Sequence, residues 1–142
     1  MRNEADSRAD SDGFIRRVVE ADLVWYLTSD RGSAISVSNE LVDEHGEPVT
    51  VILFFSDRAY AERVQASCFP THEAASIDLF DFLYRWLPGM SGDHVLAGPN
   101  WTGDLVGLEF DPIELSQTIA AAMSEENLQR HEQMFQELGA AE

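Results

Sequence analysis

An α+β fold is what this chain predicts: a single domain with a mixed, mostly antiparallel sheet of about five or six strands and helices packed on it. Three observations carry the prediction. Short runs rich in aromatic and β-branched residues, LVWYLTS, AISVS and VTVILF, have the length and composition of strands. Between and after them, apolar residues recur at helical spacing. The passage from Asp78 to Phe110 joins the densest aromatic run to the strongest turn signals, and the rest of the chain reads as its covering. With 142 residues and 44% hydrophobic content, the chain can bury about two-thirds of its unfolded surface in one core and has no room for a second domain.

Taken in order, residues 1–12 are acidic and poor in apolar side chains, so burial cannot offset their ordering entropy and they are expected to be disordered. The globular domain is expected over residues 13–123 and a C-terminal amphipathic helix and tail over 124–142. Ser11 or Asp12 is placed to cap a short helix with an inward stripe of Phe14, Ile15, Val18 and Val19, leaving Arg16, Arg17 and Glu20 to solvent. Leu23–Ser29 and Ala34–Ser38 then form a hairpin about Asp30-Arg31-Gly32. In its second strand Ala34, Ser36 and Ser38 alternate with Ile35 and Val37, which implies one buried face and one wet face. Asn39–Pro48 is a polar loop, and the nearly continuous apolar run Val49–Phe54 suits a strand in mid-sheet.

Ser56 is placed to cap the next helix, with Asp57 in its first turn near the positive end of the helix dipole. Ala59, Tyr60, Arg63 and Val64 form its expected inward stripe, and Phe69-Pro70 ends it. The strand Ala74–Leu79 follows, giving a right-handed crossover if the two flanking strands are parallel. Asp78 is either the last strand residue or the cap of the aromatic helix. That helix carries Phe80, Leu83 and Leu87 on one side and Phe82 and Trp86 on another, so it must be buried; Pro88 and Gly89 are expected to stop it. Strands at His94–Gly98 and Leu105–Phe110 are joined by a turn from Pro99 to Asp104. Asp111-Pro112 is a strong helix start, with Ile113, Leu115, Ile119 and Met123 on the apolar side. Ser124-Glu125-Glu126 either caps a separate last helix or lies in a continuation, and Leu128, His131, Phe135 and Leu138 stripe a docked or partner-seeking amphipathic segment.

The formal net charge is -17, from 26 acidic residues against nine arginines and no lysine. Such a surface repels phosphate backbones and anionic lipid, so neither nucleic acid nor membrane is an expected partner, whereas a basic protein is. Solubility alone also accounts for an acidic surface. No window is apolar and long enough to span a bilayer, the N-terminal segment is unlike a signal peptide, and Cys68 is the single cysteine; a cytoplasmic location is expected.

No chemistry-bearing constellation stands out. Cys68 and His72 are close in sequence, but no glycine-rich oxyanion element accompanies them. His45, His72, His94 and His131 are scattered and match no metal-ligand spacing, so neither a metal nor a cofactor is expected. Carboxylate pairs such as Asp78 with Asp81, or Asp43 with Glu44, lose their catalytic signal in so acidic a chain. The run from Gly98 to Gly103 lacks the lysine and following helix of a phosphate-binding loop. Arg58, Arg63 and Arg85 lie beside apolar stripes, where their stems cover core and their heads pair with carboxylates. Trp25, Trp86 and Trp101 are the large anchors; Trp101, in a loop, reads first as packing and second as a partner hot spot. The candidate partner or ligand surface is therefore Asn100, Trp101, Asp104, Leu128 and Phe135.

At VWYLTSDRG, LFFSDRAYAERV, SIDLFDFLYRWLPGM and DHVLAGPNWTGDLVGLE, the chain resembles the small bacterial family catalogued as domain of unknown function 2750, over about Phe14 to Met123. That resemblance implies no established activity and no catalytic residues. More loosely, a strand ending in Phe-Phe-Ser before an Ala-rich helix, and a late strand pair with a Pro-Asn turn, resemble the SseB N-terminal domain. Some relatives of that broader group are associated with toxin-immunity or secretion loci.

The expected function is a non-enzymatic interaction module, of accessory or immunity type, whose acidic face meets a basic partner. The rival is a small-ligand-binding or hydrolytic domain with a pocket near Pro99–Asp104 and Trp101 as its wall. A third expectation is a homodimer through the last helix.

Overall fold

The computed structural model describes residues 4–102 and 107–141. Helix α1 (Glu4–Ala21) begins upstream of the Gly13 where order was expected. Ser11 does not cap it; its hydroxyl donates to Arg8 O at 2.9 Å, the back-bond a serine makes inside a helix. The expected stripe of Phe14, Ile15, Val18 and Val19 is buried. Asp22 turns the chain into β1 (Leu23–Ser29) with φ of 57°, a left-handed position that aspartate tolerates better than most residues.

Among the described residues the sheet has six strands and is mostly antiparallel, as the sequence predicted. β1 is flanked by β4 (Pro48–Phe55) and β5 (Glu73–Asp78), both antiparallel to it, while β6 (Leu96–Pro99) lies parallel to β4 on the opposite edge. β4 and β5 are thus parallel to each other, and the crossover through α2 (Arg58–Cys68) steps over β1. The strand expected at Ala34–Ser38 is split in two. β2 (Gly32–Ser33) pairs with the end of β1 and β3 (Ile35–Val42) with the start of β4. Ala34 sits in the fork between them: its N–H donates to Leu27 O at 2.8 Å and its carbonyl accepts from Leu53 N–H at 3.3 Å.

The apolar run of β4 is explained by what covers it. Val51, Leu53 and Phe55 enter one core cluster with Leu27, Ala61, Val64 and Trp101, beneath α2. Phe54, with Ile52 half-buried beside it, enters the other, beneath α1, the aromatic helix and α5 (Pro112–Ala122). A strand covered on both faces has no use for polar alternation. β3 keeps the expected alternation, with the polar face buried: Ser38 is buried while Ile35 and Val37 are exposed. The serine face is claimed by the loop ahead of α5, where the Ser38 hydroxyl donates to the Glu109 carboxylate.

Asp57, not Ser56, caps α2, accepting from Tyr60 N–H at 2.8 Å. The inward residues of α2 are Ala61 and Val64; Ala59 and Arg63 face solvent, and Tyr60 is half-buried. Asp78 fills both roles foreseen for it, ending β5 and accepting from Phe80 N–H at 2.9 Å. The aromatic helix is buried through Phe80, Phe82, Leu83 and Leu87, but Pro88 does not stop it. α3 (Leu79–Asp81) passes into a π-helical turn (Phe82–Trp86) and on into α4 (Leu87–Gly92). The proline ring would meet the carbonyl four residues back in an α-helix. A wider turn immediately before Pro88, with Leu87 N–H reaching Phe82 O five residues back, carries the helix through.

Of the strand expected at Leu105–Phe110, residues 105 and 106 lie outside the described ones, and the remainder contributes a bridge from Phe110 to Ala97. Asp111 caps α5 as expected, accepting from Ile113 and Glu114 N–H at 3.1 Å each. The last helix is separate. In α6 (Glu125–Ala141) Ser124 and Asn127 cap reciprocally: Asn127 Oδ1 accepts from Ser124 N–H at 3.0 Å, and Ser124 Oγ from Asn127 N–H at 3.2 Å.

Candidate interaction surface

The five predicted site residues do not form one site. Asn100 follows β6, at the carboxyl ends of β4 and β6, with φ of 50° and 2% exposure. Its side chain accepts from Ser56 N–H at 2.9 Å and donates to Ser56 Oγ at 3.0 Å. Its backbone donates to Phe54 O at 2.8 Å and accepts from the Tyr60 hydroxyl at 2.9 Å. Every polar arm of Asn100 thus ties β6 to the junction of β4 and α2, and its side chain is committed to the fold. Asp10, Asp12, Arg16 and Arg17 line a shallow crevice outside Tyr60 and Asn100, so its charges oppose one another.

Trp101 is fully buried, and its indole N–H donates to Leu108 O at 2.8 Å. Two glycines make room for the ring: a Cβ at Gly98 would lie 2.7 Å from Trp101 Nε1, and one at Gly107 2.3 Å from Trp101 Cδ1. Asn100 lies at the back of that crevice and Trp101 within the core, so neither side chain stands exposed to a partner in the way the sequence reading expected. Asp104 lies outside the described residues.

Leu128 and Phe135 lie on α6, which is fastened to the domain by residues the sequence did not single out. Arg130 reaches the carboxylates of Asp22 and Asp78 together, and buried His131 places Nε2 3.1 Å from Asp22 Oδ1. Asn127 Nδ2 donates to Val19 O at 3.1 Å. The bond with Asp78, first, and the charge of Asp22 hold Arg130 above its ordinary value, against a lowering by burial. Among the described residues His131 Nδ1 is buried without a hydrogen-bond partner, and its ring stands edge-on to Phe80 and Tyr84.

This docking gathers an aromatic patch. The Phe135 ring centre is 4.8 Å from that of Phe80 and 4.7 Å from that of Tyr84. Phe80 is buried, but Tyr84 is 38% exposed, Phe135 48% and Leu138 42%. Partial burial raises the Tyr84 phenol above its ordinary value. Asp81, paired with Arg85 at 3.6 Å, and Glu137 border the patch. Leu128, 51% exposed, lies two turns earlier on the same stripe, with buried His131 between. Tyr84 and Leu138 join Phe135 in the surface; the π turn sets where Tyr84 points, and helical spacing alone does not reveal it.

The other candidates stay apart. His72 stacks edge-on against Phe69 at 5.3 Å, its Nδ1 buried without a hydrogen-bond partner among the described residues. Among the described residues no three His, Cys, Asp or Glu side chains converge as a metal site would require. Arg58 pairs with Glu62 at 3.4 Å and lies 5.9 Å from the Trp25 ring centre, and Arg63 lies 5.3 Å from that of Tyr60. Among the described residues, no helix is long and apolar enough to cross a membrane.

Fold and surface together define a single-domain α+β protein with a six-stranded mixed sheet, helices on both faces and a last helix clasped to one end. The chain belongs to the family described as Protein of unknown function (DUF2750), whose model matches residues 11–119. The match ends inside α5, so α6 lies beyond it. The looser likeness to the SseB N-terminal domain is not shown. No curated protein and no solved structure matches the chain.

Proposed function

We propose that this is a non-enzymatic, cytoplasmic accessory module that binds a basic protein partner through the surface formed by Tyr84, Phe135 and Leu138. The observation that carries the reading is the contiguity of these half-exposed side chains, Tyr84 on the π turn against Phe135 and Leu138 on acidic α6. α6 has Glu125, Glu126, Glu132 and Glu137 against one arginine, Arg130, which Asp22 and Asp78 already clasp. An amphipathic helix with an apolar stripe and flanking lysines or arginines suits such a surface, the apolar contact supplying affinity and the charges speed and selectivity. The same carboxylates disfavour a homodimer through α6, since a second copy brings like charge to like. The ligand-binding alternative rested on Trp101 as a pocket wall, and a ring buried in the core withdraws that support.

The test is affinity capture from the native host with the immobilised chain, at low and moderate salt. A basic protein should be retained, released as salt rises, and lost when the bait carries Leu138→Ser. Phe135→Ser should act likewise, with circular dichroism confirming that α6 stays folded. Recovery of nothing that depends on both salt and the patch would refute the proposal.

A further inference from the structure

The β3 end of the sheet carries a second apolar surface, far less charged than α6. Ile35 is 51% exposed and Val37 50%. Register sets Ile35 beside Ile52 and Val37 beside Thr50, so all four project from the sheet face that holds Phe54. The helices on that face cover Phe54 completely, leave Ile52 half-buried and leave Ile35 and Val37 in water. Thr28, on the same face of β1, extends the patch. The strand continues past an irregularity into Leu41 and Val42, 52% and 64% exposed. β-branched side chains at exposed sheet positions are ordinary singly; a contiguous set in a chain of net charge -17 is not.

We infer that this face is the contact between two copies of the chain. Charge decides the occupant. Two copies repel over most of their surfaces, and contact is tolerable only where no carboxylate is desolvated. Ile35, Val37, Thr50, Ile52 and Thr28 bring none, while Glu73 on β5 and Asp43, Glu44 and Asp93 near the far end of β4 remain at the border, where water and salt reach them. A basic partner would find no opposite charge inside the patch. Shape agrees with charge: Ile, Val and Thr are stiff at χ1, so the face is already set, and an uncharged face can meet its own copy about a two-fold axis.

Sedimentation equilibrium of the full chain at low and high salt tests this. A reversible dimer is expected that tightens as salt rises, because screening removes repulsion between copies; a basic partner on α6 should weaken under the same change. Ile35→Glu with Val37→Glu should loosen the dimer by roughly 30-fold or more, the ratio for loss of a central apolar contact, without altering the melting curve at concentrations where both chains are monomeric. Thr50→Glu, across the strand pair from Val37, should act in the same direction, and Leu138→Glu on α6 should leave self-association unchanged. A chain that stays monomeric at high salt, a dimer that survives both substitutions in β3, or one lost through Leu138→Glu would overturn the inference. So would binding of another protein that depends on Ile35 and Val37 while the free chain remains monomeric.

Discussion

Replacing Gly98 with alanine adds one methyl group, and the structure says what it meets. The new Cβ would lie 2.7 Å from Trp101 Nε1, 2.8 Å from Trp101 Cε2 and 3.0 Å from Val51 Cγ1. None of these can yield cheaply. Val51 lies on β4, which pairs with β6 on one edge and β3 on the other, and the indole is held by its bond to Leu108 O and by its close approach to Gly107. Overpacking a closed core costs about 1–3 kcal/mol, and displacing the indole from its acceptor adds about 1 kcal/mol. The expected loss is therefore about 2–4 kcal/mol. For a chain of 142 residues, that lowers Tm by roughly 6–16 °C. Gly89→Ala is the matched control: it adds the same methyl where nothing lies within 4 Å, and in a helix it should stabilise by about 0.5–1 kcal/mol. Urea titration followed by circular dichroism reads both. A Gly98→Ala protein within about 0.5 kcal/mol of the parent, the ordinary scatter of surface changes, would refute the account of how Trp101 is packed.

Asn100→Ala removes the acceptor for the buried Ser56 N–H and should cost about 1–3 kcal/mol. Asn100→Gly loses the same bonds but relieves the φ of 50°, so it should cost less, and urea midpoints decide the order. Asp22→Ala deprives Arg130 and buried His131 of a shared partner, so hydrogen exchange in α6 should accelerate before the sheet loosens; equal protection across both would contradict the clasp. Tyr84 has a folded value raised above that of the unfolded chain, so its contribution is complete below about pH 10 and is lost as pH climbs through the higher folded value. Stability measured across the alkaline range should fall less steeply in Tyr84→Phe, and identical slopes would disprove the assignment.

The residues that announced themselves were those whose local chemistry and tertiary surroundings agree. The continuous run of β4 announced a strand covered on both faces, Asp111-Pro112 a capped helix start, and the 14–19 stripe a helix with one inward side. Failures came where a distant element settled the outcome. Pro88 reads locally as a stop, and only the π turn before it reverses that. The alternation at 34–38 announced one buried and one wet face but not which, and the buried one is the serine side, where Ser38 meets Glu109 from far along the chain. Trp101 reads first as packing, and it is buried, but on the α2 side of the sheet; the two glycines at different distances from it that open its core slot do not advertise that slot alone. The clasp of Asp22, Asp78 and Arg130 was not legible, since in a chain with 26 carboxylates no spacing marks which two will converge on one guanidinium. Phe135 and Leu138 were visible on one stripe and their neighbour Tyr84 was not, because the surface belongs to two helices at once.

The sheet divides the interior into two compartments, and each holds its own chromophore. Trp86 belongs to the side beneath α1 and α5, edge-on to Tyr26 at 4.9 Å; Trp101 is sealed in the side beneath α2, with Trp25 half-buried near it. Emission from variants that keep Trp86 or Trp101 alone would therefore time the flooding of each compartment separately. If the two report the same midpoint, the sheet gives way as a unit; if the α2 side quenches first, the molecule comes apart along its own partition.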